Sequence, residues 1–183
     1  MRYSSRALRP AVGRYQEAST TTSRGWPRCL ASQPVETRGP GARRVFWVLR
    51  FDRLISRFQG ADRNTRLETL LDYSKKLPPL PERYRAELAA GTARVPECQT
   101  PVYLWVEREG EALHFQAEVP RESPTVRGYV SLLLRTLDGA TAAEVSEVPD
   151  DLLERLRLVE TLGMMRVQGL TAILARVKRL AAA

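Results

Sequence analysis

Few residues in this chain could do chemistry: two cysteines, Cys29 and Cys98, one histidine, His114, and scattered carboxylates. Nucleophilic catalysis by a Ser/His/Asp or Cys/His set needs an imidazole base. The sole candidate, His114, falls on the polar side of an alternating run, where a solvent-facing side chain is expected. One histidine and one cysteine outside the basic N-terminal segment cannot complete a tetrahedral Cys/His metal site, and the carboxylates show no ligand-like spacing. No glycine-rich phosphate loop follows a strand. Asp150 and Asp151 stand at a helix start, where their charge complements the helix dipole.

Cys98 remains. It lies in Arg94-Val95-Pro96-Glu97-Cys98-Gln99-Thr100-Pro101, a stretch with proline on each side and no helical period, so it is placed on a loop. One reading makes it a small buried hydrophobe, as most free cysteines are. The other makes it a reactive thiol, with Arg94 favouring the thiolate and Glu97 opposing it. A thiolate with no neighbouring base and no metal suits sulfur transfer. There a partner's persulfide delivers the sulfur, and the acceptor needs only access and partial ionisation.

The elements that must position this loop are legible as periods. Leu67, Leu70, Leu71 and Ser74 fall at i, i+3, i+4 and i+7, predicting a helix over 63–76 with those residues on its apolar face, ended by Leu77-Pro78-Pro79-Leu80-Pro81. A short helix is expected over 82–90, stopped by Gly91. Val102-Tyr103-Leu104-Trp105-Val106 reads as a buried strand. Glu109-Gly110-Glu111 supplies a turn, and the return strand sets Leu113, Phe115, Ala117 and Val119 against a wet face of His114, Gln116 and Glu118. Ser123-Pro124 starts a helix with a stripe of Val126, Tyr129, Val130, Leu133 and Leu137. Thr141 and Glu144 form a capping-box pattern. An amphipathic segment over 150–161 ends at Gly163, and Val167, Leu170, Leu174 and Val177 define a C-terminal helix. With strands and helices segregated, the fold class is α+β, a small antiparallel sheet with helices packed on one face.

The formal charge of +8 is misleading as a clue to partners. Residues 1–50 hold ten arginines, no lysine and only two acids, Glu17 and Glu36, which accounts for all of it. Taking these from the chain's 29 basic and 21 acidic residues leaves 19 of each over 51–183. A neutral domain argues against nucleic-acid binding, which needs a basic surface. No run of about 18 apolar residues predicts a membrane span, and the two cysteines do not make a secreted disulfide scaffold. Residues 1–50, rich in Arg, Ser, Thr, Pro and Gly, are expected to be disordered. An organelle transit peptide, an over-extended reading frame and a basic binding tail are all open readings of them.

Residues 52–181 resemble the SufE family of iron–sulfur cluster assembly proteins. Val95-Pro96-Glu97-Cys98-Gln99-Thr100-Pro101-Val102 is similar to the family's cysteine loop, commonly G-C-x-S-x-V-W. Val126-Arg127-Gly128 is similar to its V-K/R-G motif, and Leu162-Gly163-Met164-Met165-Arg166-Val167-Gln168-Gly169-Leu170 to its L-x-x-x-R-x-x-G-L/M motif. Glu97 stands where glycine is usual, and Tyr103 where tryptophan is frequent.

The resemblance implies a SufE/IscU-like fold and a protein with no turnover of its own. Such a protein docks on a SufS-type cysteine desulfurase, accepts sulfur as a persulfide on Cys98, stimulates the desulfurase and relays sulfur to a downstream Fe–S scaffold complex. Pyridoxal phosphate belongs to the partner, and no cofactor or metal is expected in this chain. The resemblance also implies a cysteine loop tucked over an apolar cavity in the free protein, swinging out on docking. Glu97, Gln99, Arg127, Gly128, Arg166 and Gly169 are carried over as partner-binding or loop-supporting positions. An IscU-like scaffold would need several cluster ligands where this domain has one cysteine. A thiol-based redox sensor usually needs a resolving thiol, for which Cys29 is poorly placed. A bacterial cytoplasmic location is implied, or a plastid or other organelle if residues 1–50 are a transit peptide.

Overall fold

A computed structural model describes residues 40–183, with side chains from Arg50 onward; the expectations placed on 1–39, Cys29 included, fall outside the described residues. Helix α1 spans Pro40–Gln59 and so begins inside the segment expected to lack structure. Its second half carries a legible stripe: Phe51, Leu54, Ile55 and Phe58 repeat at i, i+3, i+4 and i+7, and they pack into or against the core. Helix α2, Arg63–Ser74, is capped by Asp62, whose side chain accepts from the Thr65 amide at 3.0 Å. It ends just before the proline run, slightly short of the expected 76.

The face of α2 differs from the expected stripe. Leu70 is buried, but Leu71 is 42% exposed and Arg66 is buried instead. Arg66 Nη1 donates to the carbonyl of Arg157 at 2.8 Å, and its Nε to Asp62 at 3.3 Å, so the buried charge is hydrogen-bonded. After α2 come a 3-10 turn, Glu82–Tyr84, and helix α3, Arg85–Ala90, which closes at Gly91 in the left-handed region, φ 72°.

Strands β1, Tyr103–Glu109, and β2, Ala112–Glu118, pair antiparallel, with Tyr103 opposite Glu118 and Glu109 opposite Ala112. Gly110 turns the hairpin with φ 61°. The polar side of β2 is not simply wet. Gln116 is buried opposite Trp105, over which the Tyr84 ring lies with centroids 5.1 Å apart, while Trp105 Nε1 donates to Glu87 at 2.8 Å. His114 is only 18% exposed at its side chain, its Nδ1 2.7 Å from Asp138 Oδ1, which ties β2 to the residue after the following helix. Both corrections share a cause: segments distant in sequence cover the face.

Helix α4, Pro124–Leu137, starts with proline at its first position as expected, although Ser123 makes no side-chain cap bond. It is the central helix. Beyond the expected stripe, Ser131, Leu132 and Leu134 are buried too. The capping box of Thr141 and Glu144 is present at helix α5, Ala142–Ser146. The segment 150–161 is two helices rather than one, α6, Leu152–Arg155, and α7, Leu158–Leu162. They are broken at Arg157, which takes φ 51° and presents its carbonyl to Arg66 and to Thr161 Oγ1, the latter at 2.8 Å. Helix α8, Met164–Ala182, buries Leu170, Ile173, Leu174 and Val177, so the α+β class stands. No helix among the described residues is long and apolar enough to cross a membrane.

Candidate functional site

The loop bearing Cys98 is pinned at its two ends. The Val95 amide donates to the Val102 carbonyl at 2.8 Å, and the Leu104 amide to Ala93 at 3.0 Å, extending the hairpin backwards to the loop's base. Val95 and Val102 are fully buried, whereas Pro96, Glu97, Gln99 and Pro101 are exposed. Between those anchors Cys98 alone turns inward, 4% exposed, and joins the hydrophobic core.

What it turns onto is α8. A Cβ added at Gly169 would stand 3.1 Å from Cys98 Sγ and 3.7 Å from its Cα. The absence of a side chain at Gly169 is therefore what lets the thiol settle against the helix. Glu97 reaches the same helix, its Oε1 3.5 Å from Arg179 Nη2. Gln99 is exposed and makes no hydrogen bond among the described residues.

Burial pushes the Cys98 thiol up from its ordinary range, while the Thr100 backbone amide and, more weakly, Arg94 pull it down. The expectation that Arg94 favours the thiolate is thus right in sign but outweighed. The accessible thiol that sulfur transfer requires is not what the seated loop offers. Its state matches the tucked loop that the family resemblance implies.

The other motif positions divide by role. Arg127 donates to three backbone carbonyls, Ser74 at 3.0 Å, Val119 at 2.5 Å and Leu77 at 3.3 Å, tying the end of α2 and the exit of β2 to α4. Gly128 is where α4 and α2 touch, since a Cβ there would meet the Leu70 carbonyl oxygen at 2.0 Å. Both make contacts that hold the fold together. Arg166 is exposed at the start of α8 beside Met164 and Met165, which are 72% and 68% exposed. Gly169 lies one turn further along from Met165 and Arg166, so this apolar and cationic patch belongs to the same helix as the thiol's seat.

The sequence reading missed Arg179. No local signal marks it, since its meaning comes from Glu97, 82 positions earlier. Among the described residues no three His, Cys, Asp or Glu side chains are grouped so as to hold a metal ion.

Fold and site together define an α+β domain with one thiol on a doubly pinned loop, seated against its C-terminal helix at a glycine. Residues 52–181 match the family described as SufE, Fe-S metabolism associated domain, and the chain belongs to that family. It is similar to an uncharacterized SufE-like protein of Mycobacterium tuberculosis, 38% identical over 129 residues, covering 69% of this chain and 87% of that one. It is also similar to the sulfur acceptor protein CsdE of Escherichia coli, 34% identical over 106 residues, 57% of this chain and 68% of that one. A solution structure of a hypothetical protein from Thermus thermophilus superposes with a TM-score of 0.62 at 30% identity, covering 73% of this chain and 93% of the other.

Proposed function

We propose that this protein is a sulfur acceptor that takes persulfide sulfur from a SufS-type cysteine desulfurase onto Cys98, stimulates that enzyme by clearing its thiol, and relays sulfur to an Fe–S scaffold. It has no turnover and no cofactor of its own; pyridoxal phosphate works in the partner. The observation that carries the reading is the placement of Cys98, the one thiol of the family domain, on a pinned loop whose neighbours are exposed. Membership in the SufE family and likeness to CsdE support it.

The chemistry balances without an added oxidant. The Cys98 thiolate attacks the outer, sulfane sulfur of the partner's persulfide, the S–S bond breaks, and the partner's cysteine leaves as thiolate. Cys98 then carries the extra sulfur. No base is needed at the site if the thiol ionises once it leaves its apolar seat. The exposed Met164, Met165 and Arg166 offer the partner an apolar and cationic surface beside that seat.

The test mixes the protein with desulfurase, cysteine and pyridoxal phosphate and follows intact mass. The expected product carries one additional sulfur at Cys98, is absent in Cys98→Ser, and accompanies faster sulfide release. No adduct and no stimulation would refute the reading.

A further inference from the structure

The Cys98 loop touches α8 in two places. Cys98 Sγ sits over Gly169, and Glu97 Oε1 stands 3.5 Å from Arg179 Nη2, their side chains 50% and 53% exposed. Ten helical positions separate Gly169 from Arg179, roughly 15 Å of rise. Side chains on a helix lean toward its N-terminus, so the long guanidinium arm reaches back toward the loop tip. The bond from the Val95 amide to the Val102 carbonyl confines to 96–101 any movement that frees Cys98 without fraying the hairpin. Such a movement carries Glu97, the next residue in the chain, away from Arg179.

We propose that Arg179 is a positioning residue for Cys98: its ion pair with Glu97 clasps the loop in the seated state, so that breaking the pair raises the fraction of time the thiol is exposed. The clasp exists because an acid occupies position 97; a glycine there could not form it. It rests on the sulfur-acceptor reading for its biological meaning but is a property of the isolated protein. An exposed ion pair has modest leverage, about two- to fivefold in the ratio of open to seated loop, and salt weakens it.

The experiment measures alkylation of Cys98 in the full chain by iodoacetamide, a neutral reagent, with adducts at Cys98 and Cys29 scored on separate peptides. Arg179→Gln is expected to react about two- to fivefold faster than wild type at low ionic strength, with the difference closing near about 1 M NaCl. Arg179→Lys should stay near wild type. The sign is decisive. Removing a positive charge near a thiol disfavours the thiolate and would slow alkylation, whereas loss of a clasp speeds it. A rate for Arg179→Gln at or below wild type, or an acceleration undiminished by salt, would overturn the proposal. Because no desulfurase is present, a clasp that behaves as expected in a protein that accepts no sulfur would sink only the function proposed above. The reverse pair of results would sink only the clasp.

Discussion

Replacing Gly169 with alanine sets helix propensity against the seat of Cys98. Gly169 lies inside α8, where alanine in place of glycine stabilises a helix by about 1 kcal/mol. The new Cβ would stand 3.1, 3.7 and 3.8 Å from the Sγ, Cα and Cβ of Cys98, and the three nearest atoms all belong to that one residue. Relaxed non-bonded contacts lie nearer about 3.5–4.0 Å, and overfilling a packed site typically costs about 1–3 kcal/mol. The helix cannot yield, whereas the loop is held mainly at Val95 and Val102 and can. The strain should therefore appear as loop opening rather than global unfolding. One to three kcal/mol corresponds to roughly 5- to 150-fold in an opening equilibrium. Iodoacetamide labelling of Cys98 is thus expected to rise at least about fivefold, while the melting temperature stays within about 4 °C of wild type. Unchanged labelling of a folded variant would show that the seat has slack. A fall in Tm beyond about 10 °C would show that the core, not the loop, absorbs the methyl group.

Gly128→Ala should behave oppositely, because its Cβ meets the Leu70 backbone at 2.0 Å and neither α2 nor α4 can give way; a loss above about 3 kcal/mol in urea unfolding is expected, and a stable variant would refute the close approach. Arg127→Ala should cost about 2–4 kcal/mol by freeing three backbone carbonyls. Arg127→Lys should recover less than half of it, since an ammonium cannot span all three; full recovery would mean that charge alone mattered. Burial raises the Cys98 thiol in the seated loop, so seating is favoured fully below the free thiol's pKa of about 8.5 and is lost as pH climbs toward the raised value. Labelling should therefore keep rising past about pH 8.5, and a plateau at or below that point would contradict the burial.

What the sequence made legible was local. Proline on both sides placed Cys98 on a loop, alternation placed the hairpin, and a 3.6-residue period placed α4 and α8. The errors were tertiary. The expected stripe of α2 left out Arg66, whose acceptor, the Arg157 carbonyl, is 91 positions away, at the point where the segment over 150–161 divides into two helices. Gln116 followed the strand's polar alternation and was buried by Trp105 and the 3-10 turn that covers it. The stripe of Phe51, Leu54, Ile55 and Phe58 has a helical period, although it directly follows an Arg-rich segment that shows none. At the site, Gly169, Gly128 and Arg127 stood out as motif positions, yet only packing separates a seat for sulfur from a helix contact and a carbonyl tie.

The seat and the chemistry of Cys98 are coupled through which contacts the loop takes with it. Desolvation, the largest influence on the thiol, exists only while Cys98 lies in the core. Arg94 pairs with Tyr103 just outside the pinned ends, so it stays at the loop's base when residues 96–101 move. Opening thus removes the largest influence on the thiol, the one that suppresses ionisation. The exposed thiol must then be more acidic than the seated one, and access and ionisation arrive together. In the sulfur-acceptor reading a desulfurase would need to supply no base for Cys98: selecting the open loop would suffice to make the nucleophile. The same coupling keeps the unpartnered protein's thiol protonated and covered, which protects it from indiscriminate oxidation.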